Sequence, residues 1–149
     1  QINKKIIDLL ANNPQRWANQ IHLCLQAADD EVLKAMNRKY KIEDFIELCN
    51  YIKKAMPYVN ITTDYIVAFG QESDKQFNNS LANLKKIKFG NMNVFIYSRR
   101  KGTVADKLYK KDINPIIARE RYNKIFEIKQ QINIPTPPRQ HSVANPQAC

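Results

Sequence analysis

The stretch Thr62–Ser73, "TTDYIVAFGQES", decides the fold. Its first half is β-branched and aromatic, and small and polar residues follow at once, so it reads as a strand ending in a tight loop. Ser73 then opens a helix. Ser-Asp-Lys-Gln has the form of a capping box, in which the serine and glutamine side chains each accept the other residue's backbone N–H. Phe77, Leu81 and Leu84 follow at helical spacing. A strand that runs through a short loop into a helix is one β/α unit, and the loop between them sits at the strand's carboxyl end.

The same unit recurs on both sides. Upstream, "IHLCLQ" (21–26) predicts a strand buried on both faces, and Asp29 or Asp30 is placed to cap a helix bearing Val32, Leu33 and Met36. A further helix, from about 41 to 56, carries Ile42, Phe45, Ile46, Cys49, Ile52 and Met56 on one face and stops before Pro57. The first residues form an amphipathic helix that the break "NNPQ" ends. Downstream, "NMNVFIY" predicts a third strand, "SRRKGTVAD" a loop, and Asn114-Pro115 the start of a last helix with Ala118, Tyr122, Ile125, Ile128 and Ile132. The order is α, β, αα, β, α, β, α. Helices long enough to return the chain between strands favour parallel pairing and an α/β class. Either half of a (β/α) barrel or half of an open doubly wound sheet satisfies this pattern. In both, ligands gather at the carboxyl ends of strands: Gln26 onward, Phe69 to Ser73, and Tyr97 to Thr103.

Composition sets the outer limits. The chain has 149 residues, 44% of them hydrophobic, enough for one core. No apolar run approaches the roughly 20 residues that cross a bilayer, which predicts a cytoplasmic address and no membrane partner. The net charge of +10 is unevenly spread: residues 1–80 hold 10 basic and 10 acidic side chains, and residues 81–130 hold 13 and 4. That block suits a polyanion such as RNA or a solvated lysine-rich face equally well. Cys24, Cys49 and Cys149 have no metal-ligand spacing, so no metal site is predicted. His22 reads as a hydrogen-bonded core residue, and no catalytic residue can be assigned. Glycine-rich dinucleotide, Walker and nucleophile-elbow motifs are all absent from the sequence. The stretch 133–149, with four prolines, predicts an irregular or disordered tail behind a domain of 1–132.

Three segments, "HLCLQAADDEVLKAMNRKY", "ITTDYIVAFGQESDKQF" and "VFIYSRRKGTVADKL", in this order and spacing, resemble the second half of the radical S-adenosylmethionine domain of tRNA methylthiotransferases. The resemblance spans about residues 1–132. It implies a partial TIM-type (radical SAM) barrel whose enzyme replaces a carbon-bound hydrogen of a modified adenosine beside the tRNA anticodon with a methylthio group. S-adenosylmethionine and 4Fe-4S clusters are the implied cofactors, with the cluster cysteines expected upstream of this chain. The chain is therefore expected to be a fragment, inactive alone, and closer to the branch acting on isopentenyl-adenosine than to the threonylcarbamoyl one. A cluster-free basic RNA-binding module of the same fold is the rival. The implied cosubstrate residues are Gln26, Asp64, Ala68, Glu72 and Tyr97; Arg99, Arg100 and Lys101, in a strand-end loop within the positive block, are expected to contact tRNA phosphates. Glu72 and Asp64 serve equally well as loop-bracing carboxylates. The chain departs from the family pattern at Cys24 (usually Pro), Ala28 and Ala68 (usually Gly), Gly70 (usually Pro) and Gln71 (usually Gly or Asn).

Overall fold

The computed structural model describes residues 3–131; the predicted tail, 133–149, lies outside them. Helix α1 (Lys4–Ala11) leads through a single 3-10 turn at Pro14–Arg16 to strand β1 (Gln20–His22). Helices α2 (Asp30–Ala35) and α3 (Ile42–Ala55) follow, then β2 (Asn60–Val67), α4 (Asp74–Ile87), β3 (Asn91–Ile96), α5 (Val104–Leu108) and α6 (Pro115–Gln130). The three strands are parallel and adjacent in chain order, β1-β2-β3, with Ile21 opposite Ile61 and Asp64 opposite Asn93.

Sequential parallel order puts every crossover on one side, which is the winding of a barrel. The burial pattern agrees. Ile21, Leu23, Leu25, Ile61, Thr63, Tyr65, Val67 and Met92 are buried, in one core with Phe45, Ile46, Cys49 and Ile52 of α3, Phe77, Leu84 and Ile87 of α4, and Ile125 of α6. The alternate positions His22, Cys24, Asn93 and Phe95 are exposed, and Asp64, Ile66 and Tyr97 are half-buried. Period-two alternation along each strand thus divides the sheet into a helix-covered face and an open one.

This corrects two expectations. The first strand is not buried on both faces, because its polar positions look onto the open side. Nor is His22 a core residue, with 42% of its side chain exposed. The regular part of the strand is also shorter than 21–26. His22 pairs with Thr62, but the ladder resumes at Gln26 with Tyr65, so four residues on one strand span three on the other. That single extra residue is a bulge. The backbone groups it frees are taken up locally: Thr63 Oγ1 accepts the Leu25 N–H at 3.0 Å, and Asp64 O accepts the Gln26 N–H at 3.0 Å.

Local sequence explains the helix ends. Asp29 accepts the N–H groups of Glu31 and Val32, and its other oxygen takes the Asn79 amide at 3.0 Å, tying α2 to α4. Ser73 and Gln76 form the predicted capping box, worth about 1 kcal/mol. At the far end of α4 the left-handed Lys88 (φ 52°) stops the helix, and Lys53 Nζ donates to the carbonyls of Ile87 and Lys88. Helix α5 falls where a plain loop was predicted. Thr103 caps it by accepting the Asp106 N–H, while the Asp106 carboxylate accepts the Gly102 N–H, a reciprocal pair that holds so short a turn.

Candidate functional site

The carboxyl ends of the three strands open together. Gln26, Ile66, Phe69, Tyr97, Thr103, Ala105 and Tyr109 line a cleft of about 600 Å³. A continuous depression of about 540 Å³ adds Asp64, Phe95, Ser98 and Arg100. Its walls are apolar and aromatic with a few convergent polar groups, the make-up of a small-molecule site. A larger cleft, of about 1010 Å³, runs beside β1, at the edge of the sheet among the described residues, and against α3, lined by His22, Leu23, Cys24, Phe45, Leu48 and Tyr51. The strand-end mouth is the better candidate because the loops from all three β/α units converge there.

Backbone strain clusters at this mouth and directly behind it. Gln26 has φ 69° and Ala68 φ 63°, left-handed values that residues with a Cβ rarely adopt. Ala68 is buried, and its N–H donates to Glu72 Oε2 at 3.1 Å. Gly70 (φ 58°) completes the turn, and a Cβ there would press to 3.1 Å on the Tyr109 ring. Such a φ also excludes proline, the residue that the resemblance led one to expect at this position. Phe69, which follows Ala68, sits edge-on to Tyr97 (centroids 4.8 Å apart) and to Tyr109 (5.5 Å).

Of the residues read from sequence, Gln26, Asp64 and Tyr97 come together at the mouth, joined by Arg100. The Tyr97 hydroxyl is buried without a hydrogen-bond partner, and burial, then Asp112 and Asp106, push its pKa up, so it remains a donor. Asp64 Oδ1 is held by the Asn93 amide at 2.9 Å. Ala68 lies behind the mouth, contributing to a smaller cleft with Tyr97, Ser98 and Arg119.

Glu72 is placed differently. Its side chain is 1% exposed and points away from the mouth, accepting from the Ala68 N–H and from Arg121 Nη1 at 3.1 Å. The same Nη1 donates to the Glu72 carbonyl at 2.7 Å, and Nη2 reaches Asp74 Oδ1 at 2.8 Å. Burial pushes the Glu72 carboxyl above its ordinary value, an effect Arg121 and the Ala68 N–H only partly offset. Of its two readings, the geometry gives Glu72 the bracing one.

Among the basic residues, Arg99 is spent on its own loop: Nη1 donates to the Lys110 carbonyl at 2.6 Å and Nε faces Asp106 at 3.5 Å. Arg100 and Lys101 extend from the same loop, Arg100 into the depression and Lys101 into solvent. Arg121, Asn93 and Tyr109 were missed from the sequence, whereas Thr103 lies at the end of the predicted ligand segment 97–103. Arg121 had a signal, since it lies within the stripe Ala118, Tyr122, Ile125 and so on the buried side of α6.

The fold and its strand-end mouth define a class. The family profile of the Radical SAM superfamily matches residues 1–84, more than half of the chain, and the chain belongs to that superfamily. A solved radical SAM enzyme, coproporphyrinogen III oxidase from Escherichia coli, shares the fold with a TM-score of 0.69 at 16% identity, over 88% of this chain and 30% of that one. More particularly, the chain is similar to proteins named tRNA-2-methylthio-N(6)-dimethylallyladenosine synthase. It is 36% identical to that of Petrotoga mobilis over 133 residues, 89% of this chain and 30% of the relative. With that of Malacoplasma penetrans it shares 45% identity over 102 residues, 68% and 21% of the two chains. The chain thus spans between 21% and 30% of the length of these curated relatives. Among the described residues no helix is long and apolar enough to cross a membrane.

Superfamily membership implies S-adenosylmethionine and a 4Fe-4S cluster. The mouth fits the first: aromatic walls, the polar ends of Gln26 and Asp64, and an unpartnered buried hydroxyl on Tyr97. The described residues do not fit the second, because a cluster takes several thiolates while Cys49 is buried in the core and Cys24 stands away from it on the open face.

Proposed function

We propose that this chain supplies part of the cosubstrate-binding wall of a tRNA methylthiotransferase acting on a dimethylallyl-type adenosine, in the cytoplasm. The observation that carries the reading is the convergence of Gln26, Asp64 and Tyr97 on one mouth, in a chain whose relatives bear that name. S-adenosylmethionine, when bound with its reducing partner, supplies a carbon-centred radical. The residues here position and shield it. Phe69 and Tyr97 exclude water from the pocket, Gln26 and the Tyr97 hydroxyl offer hydrogen bonds to polar ends of the ligand, and Asp64 is turned toward a cationic group. Arg100 and Lys101 lie at the rim, where phosphate contacts would orient a polynucleotide without reading its sequence.

Expressing the complete reading frame in a bacterium deleted for its own methylthiotransferase, then analysing tRNA nucleosides by mass spectrometry, tests this. Methylthiolated dimethylallyladenosine should appear, and should be lost in Tyr97→Phe combined with Gln26→Ala. Unmodified tRNA despite a soluble, cluster-loaded protein overturns it. Tight tRNA binding with no S-adenosylmethionine binding would favour the cluster-free RNA-binding module.

A further inference from the structure

The open sheet face carries a further group of chemically capable side chains, which adjoins the mouth through Asp64. His22 and Cys24 are two residues apart and so project to the same side, and Asp64 reaches them from β2. Their ligand atoms, a ring nitrogen, Sγ and a carboxylate oxygen, all lie within 4.8 Å of one another, and His22 Nε2 is 3.5 Å from Asp64 Oδ2. We propose that His22, Cys24 and Asp64 form a binding site for a zinc ion.

Tetrahedral zinc, bonded at roughly 2.0–2.3 Å, sets its donor atoms roughly 3.3–3.6 Å apart. The His22–Asp64 separation already matches, and a change of side-chain torsion at Cys24, which is exposed, closes the rest. The groups behind the donors match as well. His22 Nδ1 is 3.0 Å from Thr62 Oγ1, leaving Nε2 as the nitrogen that faces the cluster. Asp64 Oδ1 is held by Asn93 at 2.9 Å, leaving Oδ2 pointing inward. Metal-binding histidines and carboxylates are ordinarily oriented by hydrogen bonds of this kind through their second atom. A surface His–Asp ion pair would account for two of the three side chains but has no use for a thiol two residues along the strand.

The donor set chooses the ion. Thiolate and imidazole disfavour magnesium and calcium, which take oxygen ligands, and suit zinc. Binding releases the Cys24 thiol proton, leaves the fourth position open, and neutralises the carboxylate. This site shares Asp64 with the proposed cosubstrate mouth, but zinc binding needs neither S-adenosylmethionine nor an iron–sulfur cluster and is read out separately from transferase activity.

The test uses the 149-residue chain and Co²⁺ as a spectroscopic probe. One equivalent should give tetrahedral d–d bands and a thiolate-to-cobalt charge-transfer band, displaced stoichiometrically by Zn²⁺ and untouched by excess Mg²⁺. Cys24→Ser should abolish the charge-transfer band, and Cys149→Ser should leave it intact. His22→Gln and Asp64→Asn should each lower zinc affinity at least tenfold, and Asn93→Ala about 10–100-fold by releasing Asp64. All four positions face the open side, so circular dichroism should report unchanged folding. No charge-transfer band in the wild-type chain, or a band that survives Cys24→Ser, overturns the proposal.

Discussion

Arg121 Nη1 lies 3.1 Å from Glu72 Oε2 and 2.7 Å from the Glu72 carbonyl, so one guanidinium from the last helix clamps both ends of the residue that closes the second strand's loop. Both side chains are almost wholly buried, at 7% and 1% exposure. Removing one member of such a pair leaves an uncompensated charge in a poor solvent. Arg121→Met should therefore lower unfolding stability by about 3 kcal/mol at neutral pH. The double variant Arg121→Met/Glu72→Gln should recover much of that loss, and a double-mutant cycle by urea denaturation measures the coupling. Asp74, 91% exposed, contributes little, and Asp74→Asn should change stability by under about 1 kcal/mol.

The same carboxyl should leave a mark on the pH profile. Its folded value lies above the ordinary 4.5, with burial as the main cause. The folded chain then holds this proton more tightly than the unfolded one. Stability falls as pH rises from about 4.5 through the raised folded value and is level above it. Subtracting the denaturation midpoints of Glu72→Gln from those of the wild type at each pH isolates this segment. A difference that rises with pH across that window contradicts the assignment.

At Ala68 a left-handed backbone is held by a residue with a Cβ, at φ 63°. Ala68→Gly relieves the clash and should raise stability by about 1 kcal/mol, against the usual sign for a glycine substitution. Gly70→Ala should do the reverse, because its Cβ meets both a φ of 58° and the Tyr109 ring. Thermal melts of the two variants, shifting in opposite directions, check both.

The described cysteines should differ sharply in reactivity. Cys24 is exposed, whereas Cys49 is fully buried and its thiol is pushed up to about 12 by desolvation. Since the thiolate is the nucleophile, iodoacetamide at pH 8 should modify Cys24 in the native chain and reach Cys49 only after unfolding. Peptide mass mapping distinguishes the two sites, and zinc should slow the first.

If Lys101 meets a phosphate, Lys101→Ala should weaken tRNA binding without altering sequence preference. The slope of log affinity against log salt should fall by about 0.7–0.9, measured by filter binding over a salt series. Arg99→Ala should act mainly through stability, since that side chain is held by Lys110 and Asp106.

Much of the fold was legible because its signals are local. The capping box at Ser73, the Asp29 cap and the stripe Ile42, Phe45, Ile46, Cys49 each fix an element from a few neighbouring residues. The order of those elements then gave parallel strands, and the resemblance chose the barrel over the open sheet. What could not be read depends on pairing between strands. Whether His22 and Cys24 are buried is decided by whether helices cover one face or two, and "IHLCLQ" alternates identically in either case. The bulge before Gln26 is invisible until Tyr65 is known as its partner. Glu72 was identified as important by its place in the loop, but its bracing role depends on Arg121, 49 residues away. The His22–Cys24–Asp64 group required both strands in register, so cysteine spacing alone pointed away from it.

A sheet covered on a single side splits each strand into two mutational alphabets. Along β2, Thr63, Tyr65 and Val67 answer to the packing behind them, while Asp64 and Ile66 answer to whatever occupies the open side. Selection for a new ligand can therefore rewrite every second letter with little penalty to folding, and directed libraries confined to those letters should retain far more intact protein than libraries of equal size drawn from whole strands.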